Sequence, residues 1–125
     1  MKLGPLWRAF ARDAAGNVST ASTVRGPCSE AAYAASDGSS QPTVCLMTSH
    51  GEIVAGLDTK AYNTVVNFNT YVTEGFYAGT LFHRIVSDFV VQGGGLVLQN
   101  GQRVQKTPTH APIALEKTSD TGLSN

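Results

Sequence analysis

One short stretch of the sequence combines side chains that are able to do chemistry without a covalent intermediate. Phe82-His83-Arg84 is followed by Phe89 and then by Gln92 and three glycines. A guanidinium keeps its charge and is costly to bury, so an arginine on an apolar strand usually has a purpose. The sequence offers no nucleophile–base pair and no His or Cys cluster with metal-ligand spacing. The stretch predicts a site that works by hydrogen bonding and desolvation, without a metal or a cofactor.

The apolar runs around this stretch predict two strands, at residues 81–86 and 89–92, with a hinge at residues 87–88. Alternation along the first strand places Arg84 and His83 on opposite faces. We therefore interpret His83 as a hydrogen-bonded core histidine rather than a proton carrier. An alternative for Arg84 is a structural ion pair with Asp88 or Glu52. The three glycines after Gln92 let the backbone bend sharply or approach another group closely.

The elements that must position these residues are readable from periodicity. Residues 44–46 and 53–57 predict a hairpin around a turn at residues 49–52. From residue 61 to residue 74, Val65, Phe68 and Val72 follow helical spacing with Tyr71 beside them. Gly75 is a natural stop for that helix. The fold class predicted is mainly β with one or two helices.

The first 42 residues have a different character. Residues 7–12 alternate between two faces like a strand, and residues 13–17 have turn chemistry, so residues 1–25 predict a remnant β-hairpin or a disordered tail. Residues 11–19 resemble the last hairpin of a bacterial fibronectin-type or immunoglobulin-like module. Residues 26–42 are rich in Gly, Ser, Ala and Pro without apolar periodicity, which predicts a flexible linker. A further domain is expected over residues 43–125.

Composition limits the classes of partner. Nine basic and nine acidic residues balance, so bulk charge favours neither nucleic acid nor an anionic membrane. No run approaches the roughly 18 apolar residues of a membrane span. The start Met1-Lys2-Leu3 suggests a signal peptide, but Arg8, Arg12 and Asp13 interrupt its apolar core. We expect a soluble chain without an export signal of its own.

Cys28 and Cys45 are the two cysteines of the chain. They are either two unrelated thiols or a disulfide between the linker and the first strand of the domain. A disulfide closing a loop of this size is worth about 3 kcal/mol in an oxidising compartment. The sequence leaves both readings open.

Residues 43–125 resemble the cyclophilin family of peptidyl-prolyl cis–trans isomerases, in its bacterial form. The resemblance rests on the order of the hairpin, the helix, residues 82–84, Phe89 and residues 92–95. Further matching runs are residues 64–68, 75–77, 79–80, 105–106, 111–113 and 122–125.

This resemblance implies an antiparallel β-barrel capped by helices, of which the chain holds a part. It implies that Arg84 is the main catalytic group, that Phe89 and Val90 contact a proline ring, and that Gln92 binds peptide backbone. Val90 stands where many members have Met, and Tyr62 where a helix-starting Pro is usual. The chain stops at Asn125, before the strand that carries the second wall of the proline pocket, so about half of the family's domain is expected to be missing.

The residues suit the implied reaction. Rotation about an X–Pro bond faces a barrier of about 20 kcal/mol, because the amide loses its conjugation halfway round. A donor aimed at the proline nitrogen binds the twisted state better than either planar state. The expected partners are proline-containing peptides and unfolded or folding proteins.

Two other functions remain open at this point. The chain is alternatively an inactive truncated fragment, or a binding or scaffold module of a secreted multidomain protein. The module-like hairpin and the low charge suggest a periplasmic or extracellular location, with the cytoplasm as the alternative.

Overall fold

The computed structural model describes residues 28–123 and the backbone of residues 9–10. The hairpin predicted for residues 1–25 therefore lies outside the described residues, except for one short strand. In chain order the elements are β1 (Ala9–Phe10), α1 (Glu30–Asp37), β2 (Thr43–Thr48), β3 (Gly51–Gly56), α2 (Tyr62–Thr73), β4 (Thr80–Val86), β5 (Val90–Gln99), β6 (Gln102–Gln105) and α3 (Thr118–Thr121).

The strands form two antiparallel sheets of three strands each, in the orders β1-β2-β3 and β4-β5-β6. The β2–β3 hairpin pairs Thr48 with Gly51, which leaves a two-residue turn inside the predicted residues 49–52. The mainly β fold class is confirmed. Within the described residues the two sheets do not close into a barrel, as expected for part of one.

The predicted helix is confirmed as α2, and its apolar face forms the core. Val72 is fully buried against Val44 of β2, with Phe68 and Phe82 packed around them. Gly75 ends the helix with a φ of +71°. The amides of Gly75 and Phe76 donate to the carbonyls of Val72 and Tyr71, so a Schellman motif satisfies the last turn.

The start of α2 is secured by a residue from the far end of the chain. Ala61 precedes the helix and offers no side-chain cap. The backbone amides of Asn63 and Thr64 instead donate to the carboxylate of Glu116, over 3.0 Å and 2.8 Å. Glu116 thus satisfies donors that the helix itself leaves unpaired.

The flexible linker predicted for residues 26–42 needs a correction, because helix α1 occupies part of it. Ser29 caps the helix, and its amide and hydroxyl donate to the Glu52 carboxylate over 2.6 Å and 2.5 Å. A disulfide joins Cys28 to Cys45 on β2. The helix packs with little apolar surface, since Ala32 is its buried residue. These distant contacts explain why periodicity did not reveal it; the division of the chain into domains remains a prediction.

Residues after β6 return to α2. His110 Nε2 lies 2.5 Å from Glu74 Oε1, and the His110 amide donates to the Tyr71 hydroxyl over 3.1 Å. The His110 side chain, together with a hydrogen bond that the Thr109 hydroxyl donates, holds the pKa of Glu74 below its ordinary value. In the described part of the chain, no helix has the length and apolar character needed to cross a membrane.

Candidate functional site

The predicted site residues all lie on the β4–β5 hairpin. Arg84 of β4 pairs directly with Gln92 of β5, and Val86 pairs with Val90. Residues paired in this way project from the same face of an antiparallel sheet. The hairpin therefore brings Arg84, Gln92 and Val90 to one face, which we call the arginine face.

Phe89 lies in the turn of this hairpin rather than on the strand predicted for residues 89–92. Its amide donates to the Val86 carbonyl over 3.2 Å, and β5 begins one residue later. Asp88 precedes it with a φ of +55°, a left-handed conformation that Asp tolerates in turns. The turn leaves the Phe89 ring 73% exposed at the end of the hairpin.

The Arg84 guanidinium lies close to this ring. Its central carbon is 5.6 Å from the ring centroid of Phe89, within the range of a cation–π contact. Arg84 is exposed and forms no ion pair within residues 28–123. Both carboxylates considered as partners have other neighbours, because Glu52 binds Ser29 and Asp88 accepts from the Ser87 hydroxyl over 3.3 Å. The cation therefore keeps its donors available to a ligand.

Glycines allow the strand behind the site to approach its neighbours. A Cβ on Gly93 would lie 2.7 Å from a ring carbon of Phe82 and 3.0 Å from the Leu81 carbonyl oxygen. Gly94 has a φ of +91°, and a Cβ there would lie 3.0 Å from the Tyr77 ring. This close approach agrees with the interpretation of residues 93–95. It coincides with two irregularities in the β4–β5 register that bend the hairpin.

Tyr77 supports this bend from the side of the core. Its ring packs on Phe68 with centroids 5.3 Å apart. Burial raises the pKa of the Tyr77 hydroxyl, so the group stays protonated around neutral pH. Lys106 lies over the Phe76 ring at 4.6 Å and donates to the Phe76 carbonyl oxygen. Apart from the presence of the aromatic residues, no sequence pattern indicates these supporting contacts.

The environment of His83 differs in part from its interpretation as a hydrogen-bonded core histidine. Nδ1 of His83 is buried and has no hydrogen-bond partner among the described residues, so at this atom the expected hydrogen bond is missing. His50 is exposed in its turn, 3.1 Å from the Ser49 hydroxyl. His110 is exposed and contacts Glu74 and Tyr71.

Two cavities lie along α2. One of about 420 Å³ is lined by Val66, Asn69, Thr70, Thr73 and Glu74. Another of about 300 Å³ lies between α2 and Leu123. Neither contains a predicted site residue.

One group of possible metal ligands occurs outside this face. Sulfurs of Cys28 and Cys45 and a carboxylate oxygen of Glu52 lie within 4.8 Å of one another. The two sulfurs are bonded to each other, whereas a metal requires thiolates. These residues therefore hold the start of α1 against strands β2 and β3.

Most of the chain is similar to proteins of one family. Residues 43–124 match the model of the family described as cyclophilin type peptidyl-prolyl cis-trans isomerase/CLD. The chain is 49% identical over 84 residues to peptidyl-prolyl cis-trans isomerase cyp18 of Streptomyces antibioticus, covering 66% of this chain and 47% of that protein. It is 40% identical over 83 residues to isomerase B of Escherichia coli K12, with the same coverage of 66% and 47%.

A third relative, isomerase A of Dickeya dadantii, is 45% identical over 83 residues, covering 66% of this chain and 40% of that protein. The chain thus spans about half the length of these relatives, or less. No solved structure gives a significant match. The matched segment contains the whole β4–β5 hairpin with Arg84, Phe89, Val90 and Gln92. From these matches, the chain belongs to the cyclophilin-type peptidyl-prolyl isomerase family.

Proposed function

We propose that this protein is a peptidyl-prolyl cis–trans isomerase that acts on X–Pro bonds in peptides and in unfolded or folding proteins. The observation that carries the proposal is the state of Arg84. Its guanidinium is exposed, forms no ion pair in the described part of the chain, and lies beside the Phe89 ring opposite Gln92. This arrangement supports the proposal because no carboxylate of the described residues occupies the donors of the guanidinium.

In this proposal the arginine face and the neighbouring Phe89 divide substrate binding and catalysis between them. Gln92 binds the peptide backbone, and Phe89 with Val90 contacts the proline ring. The guanidinium of Arg84 then donates to the proline nitrogen, whose lone pair becomes available only when the amide twists. No bond is made or broken, and the guanidinium keeps its proton throughout.

The free energy required is within reach of such a site. Uncatalysed X–Pro isomerisation takes tens of seconds, and reaching milliseconds requires about four decades of rate, or roughly 5 to 6 kcal/mol. One charged hydrogen bond that strengthens in the twisted state, together with orientation of the ring, supplies energies of this order.

The first prediction tests Arg84. We expect Arg84→Ala to reduce isomerisation of a proline-containing peptide by at least about tenfold, because the donor to the proline nitrogen is lost. The rate is measured by exchange NMR on a peptide with one X–Pro bond. Arg103→Ala is the matched control, since Arg103 is an exposed arginine on β6, away from the predicted site residues.

Circular dichroism of both variants verifies that folding is retained. Equal rates for Arg84→Ala and the unmodified chain would remove the proposal. Arg84→Lys separates charge from geometry, because lysine keeps the charge but not the planar fork. We expect it to recover only part of the lost rate.

We also infer an oxidising location, periplasmic or extracellular. The Cys28–Cys45 disulfide supports this, because such bonds persist mainly outside the reducing cytoplasm. Thiol labelling of the protein taken directly from cells measures whether Cys28 and Cys45 are bonded to each other or reduced. Full labelling of both cysteines without added reductant would favour the cytoplasm instead.

A further inference from the structure

Lys106 follows β6 and contacts two separate segments of the domain. Its backbone amide donates to the Gly95 carbonyl over 2.9 Å, at the bend of β5. Its side chain is half-buried, and the ammonium nitrogen donates to the Phe76 carbonyl and lies 4.6 Å from the centroid of the Phe76 ring. In the stretch from residue 28 to residue 123, this ammonium group forms no ion pair with a carboxylate. It instead binds residues 74–79, which we call the α2–β4 loop.

The α2–β4 loop lies against the bend behind the arginine face. In this loop Phe76 is followed by Tyr77, and the two rings meet edge to face with centroids 5.5 Å apart. The Tyr77 ring lies against the backbone of β5, because a Cβ on Gly94 would be 3.0 Å from it. Gly94 lies two residues after Gln92 on the same strand. A displaced loop would therefore displace the backbone beside Gln92, since closely packed groups transmit such movements to their neighbours.

The loop contacts the two strands of the hairpin at different distances from the site. On β5 the contact is at Gly94, two residues from Gln92. On β4 it is at Thr80, which is fully buried, donates to the Tyr77 carbonyl over 3.1 Å and lies four residues before Arg84. In the proposed function Gln92 binds the peptide backbone, whereas Arg84 acts on the twisted amide. We therefore expect a displaced loop to weaken peptide binding more than the catalytic step.

We propose that Lys106 is a positioning residue for peptide binding. Its ammonium group holds the α2–β4 loop against the bend of β5, and this bend holds Gln92 in the orientation that meets the peptide backbone. Lys106 acts through Gln92 rather than on the peptide itself. The inference deepens the proposed function and rests on it for the role of Gln92.

The test uses Lys106→Met, which keeps the apolar stem of the side chain and removes its donor. We expect peptide affinity to fall by at least about fivefold, the loss that one missing hydrogen bond produces. The isomerisation rate at saturating peptide should stay within about twofold, because the donor that acts on the twisted amide is retained. An NMR titration with a peptide that has one X–Pro bond gives the affinity, and exchange spectroscopy gives the rate.

Two further variants serve as controls. Lys106→Arg keeps a donor and a cation near the Phe76 ring, so it should recover most of the affinity. Lys60→Met removes an exposed lysine from the turn before α2, and its affinity should stay within about twofold of that of the unmodified chain. Equal affinities of Lys106→Met and Lys60→Met would overturn the proposal, and so would a loss that Lys106→Arg does not recover.

Gln92→Ala shows whether Lys106 acts through Gln92. If it does, adding Lys106→Met to Gln92→Ala should reduce the affinity further by less than about twofold, because the contact that Lys106 supports is already lost. A full additional loss would mean that Lys106 supports the fold in general. The proposal would then be wrong.

One measurement needs no variant, so it remains informative if Lys106→Met does not fold. Peptide added to the unmodified chain should shift the NMR signals of the Lys106 ε-methylene group, because coupling between two places is reciprocal. The corresponding signals of Lys60 should stay in place. Unchanged Lys106 signals at saturating peptide would contradict the proposal.

The isomerisation rate separates this inference from the proposed function. If peptide binding depends on Lys106 as expected while Arg84→Ala leaves the rate unchanged, Lys106 keeps its role and the proposed function fails. If Arg84→Ala lowers the rate while Lys106→Met behaves like Lys60→Met, the proposed function stands and the role of Lys106 fails. A chain that binds no proline-containing peptide would overturn both.

Discussion

Four hydrogen bonds converge on the Glu116 carboxylate at the start of α2. Besides the two backbone amides, the Asn63 amide group and the Thr64 hydroxyl donate over 3.1 Å and 2.7 Å. The helix N-terminus adds a partial positive charge. These contacts, that of the Thr64 hydroxyl first, hold the pKa of Glu116 below its ordinary value of 4.5. The folded protein therefore releases this proton more readily than the unfolded chain.

The pH dependence of stability follows from the direction of this pKa shift. The contribution of Glu116 is fully present above about pH 4.5 and is lost as the pH falls through the lower folded pKa. We expect Glu116→Gln to lower the melting temperature at pH 7 and to flatten the acid part of the curve. Thermal unfolding followed by circular dichroism between neutral and acid pH measures both.

Asp88→Asn is the control for this effect. Asp88 is an exposed carboxyl in the β4–β5 turn, and Asn tolerates its positive φ. Its acid curve should keep the shape of that of the unmodified chain. If the melting temperature of Glu116→Gln fell below pH 4.5 in the same way as that of the unmodified chain, Glu116 would not stabilise the start of α2.

Residues differ in how far the sequence could predict them. Arg84, Phe89 and Gln92 stand out by type and spacing within one short stretch, whereas the choice of Val90 and the roles of all four residues come from the family resemblance. Their assigned roles remain predictions, although the hairpin does place Arg84 opposite Gln92. Glu116 could not be selected, because its partners lie 52 and 53 residues earlier in the chain and no local pattern connects them.

At the scale of elements, the shape of the β4–β5 hairpin depends on the residues at its bend. We expect Gly93→Ala to destabilise the protein by about 1–3 kcal/mol, because the new methyl group would collide with Phe82 and with the Leu81 carbonyl. Gly95→Ala is the matched control, since a Cβ there meets nothing within 4 Å. Urea unfolding of both variants measures the difference. Similar midpoints for the two would mean that the bend relaxes at little cost.

The two longer helices show where pattern reasoning works. Helix α2 was predicted because it buries a face of large apolar side chains at helical spacing, and such a face is visible in the sequence. Helix α1 was missed because alanines and serines give no such face. Its position depends on contacts with Cys45 and Glu52, which both lie outside the helix and later in the chain.

At the scale of the whole molecule, the disulfide is the covalent link between α1 and the β2–β3 hairpin. It joins residues separated by 17 positions. We expect reduction to lower the free energy of unfolding by about 3 kcal/mol, because the unfolded chain regains the entropy of that loop. Urea unfolding with and without a phosphine reductant measures the change.

The variant with both Cys28→Ser and Cys45→Ala is the control. Its free energy of unfolding should match that of the reduced protein and should not change when the reductant is added. Hydrogen exchange should become faster in α1 on reduction and stay slow at the centre of α2, where Val72 is buried. An unchanged urea midpoint after verified reduction would show that the bond does not stabilise the fold.

The overall organisation was predictable to the level of fold class. Strand and helix periodicities indicated a mainly β chain, and the resemblance indicated part of a barrel; both agree with two open sheets around α2. Whether Cys28 and Cys45 are bridged was left open, because sequence does not report the distance between two thiols. The structure places them in a disulfide.

The distances along the chain between contacting residues also set an order of events during synthesis. Arg84 and Gln92 are close neighbours on one hairpin, and hairpins form within about 1–10 μs once both strands exist. The cap of α2 spans more than fifty positions and has to wait for Glu116 to leave the ribosome. In a nascent chain, the strands that carry the arginine and the glutamine are therefore able to pair before the first turn of the main helix is secured.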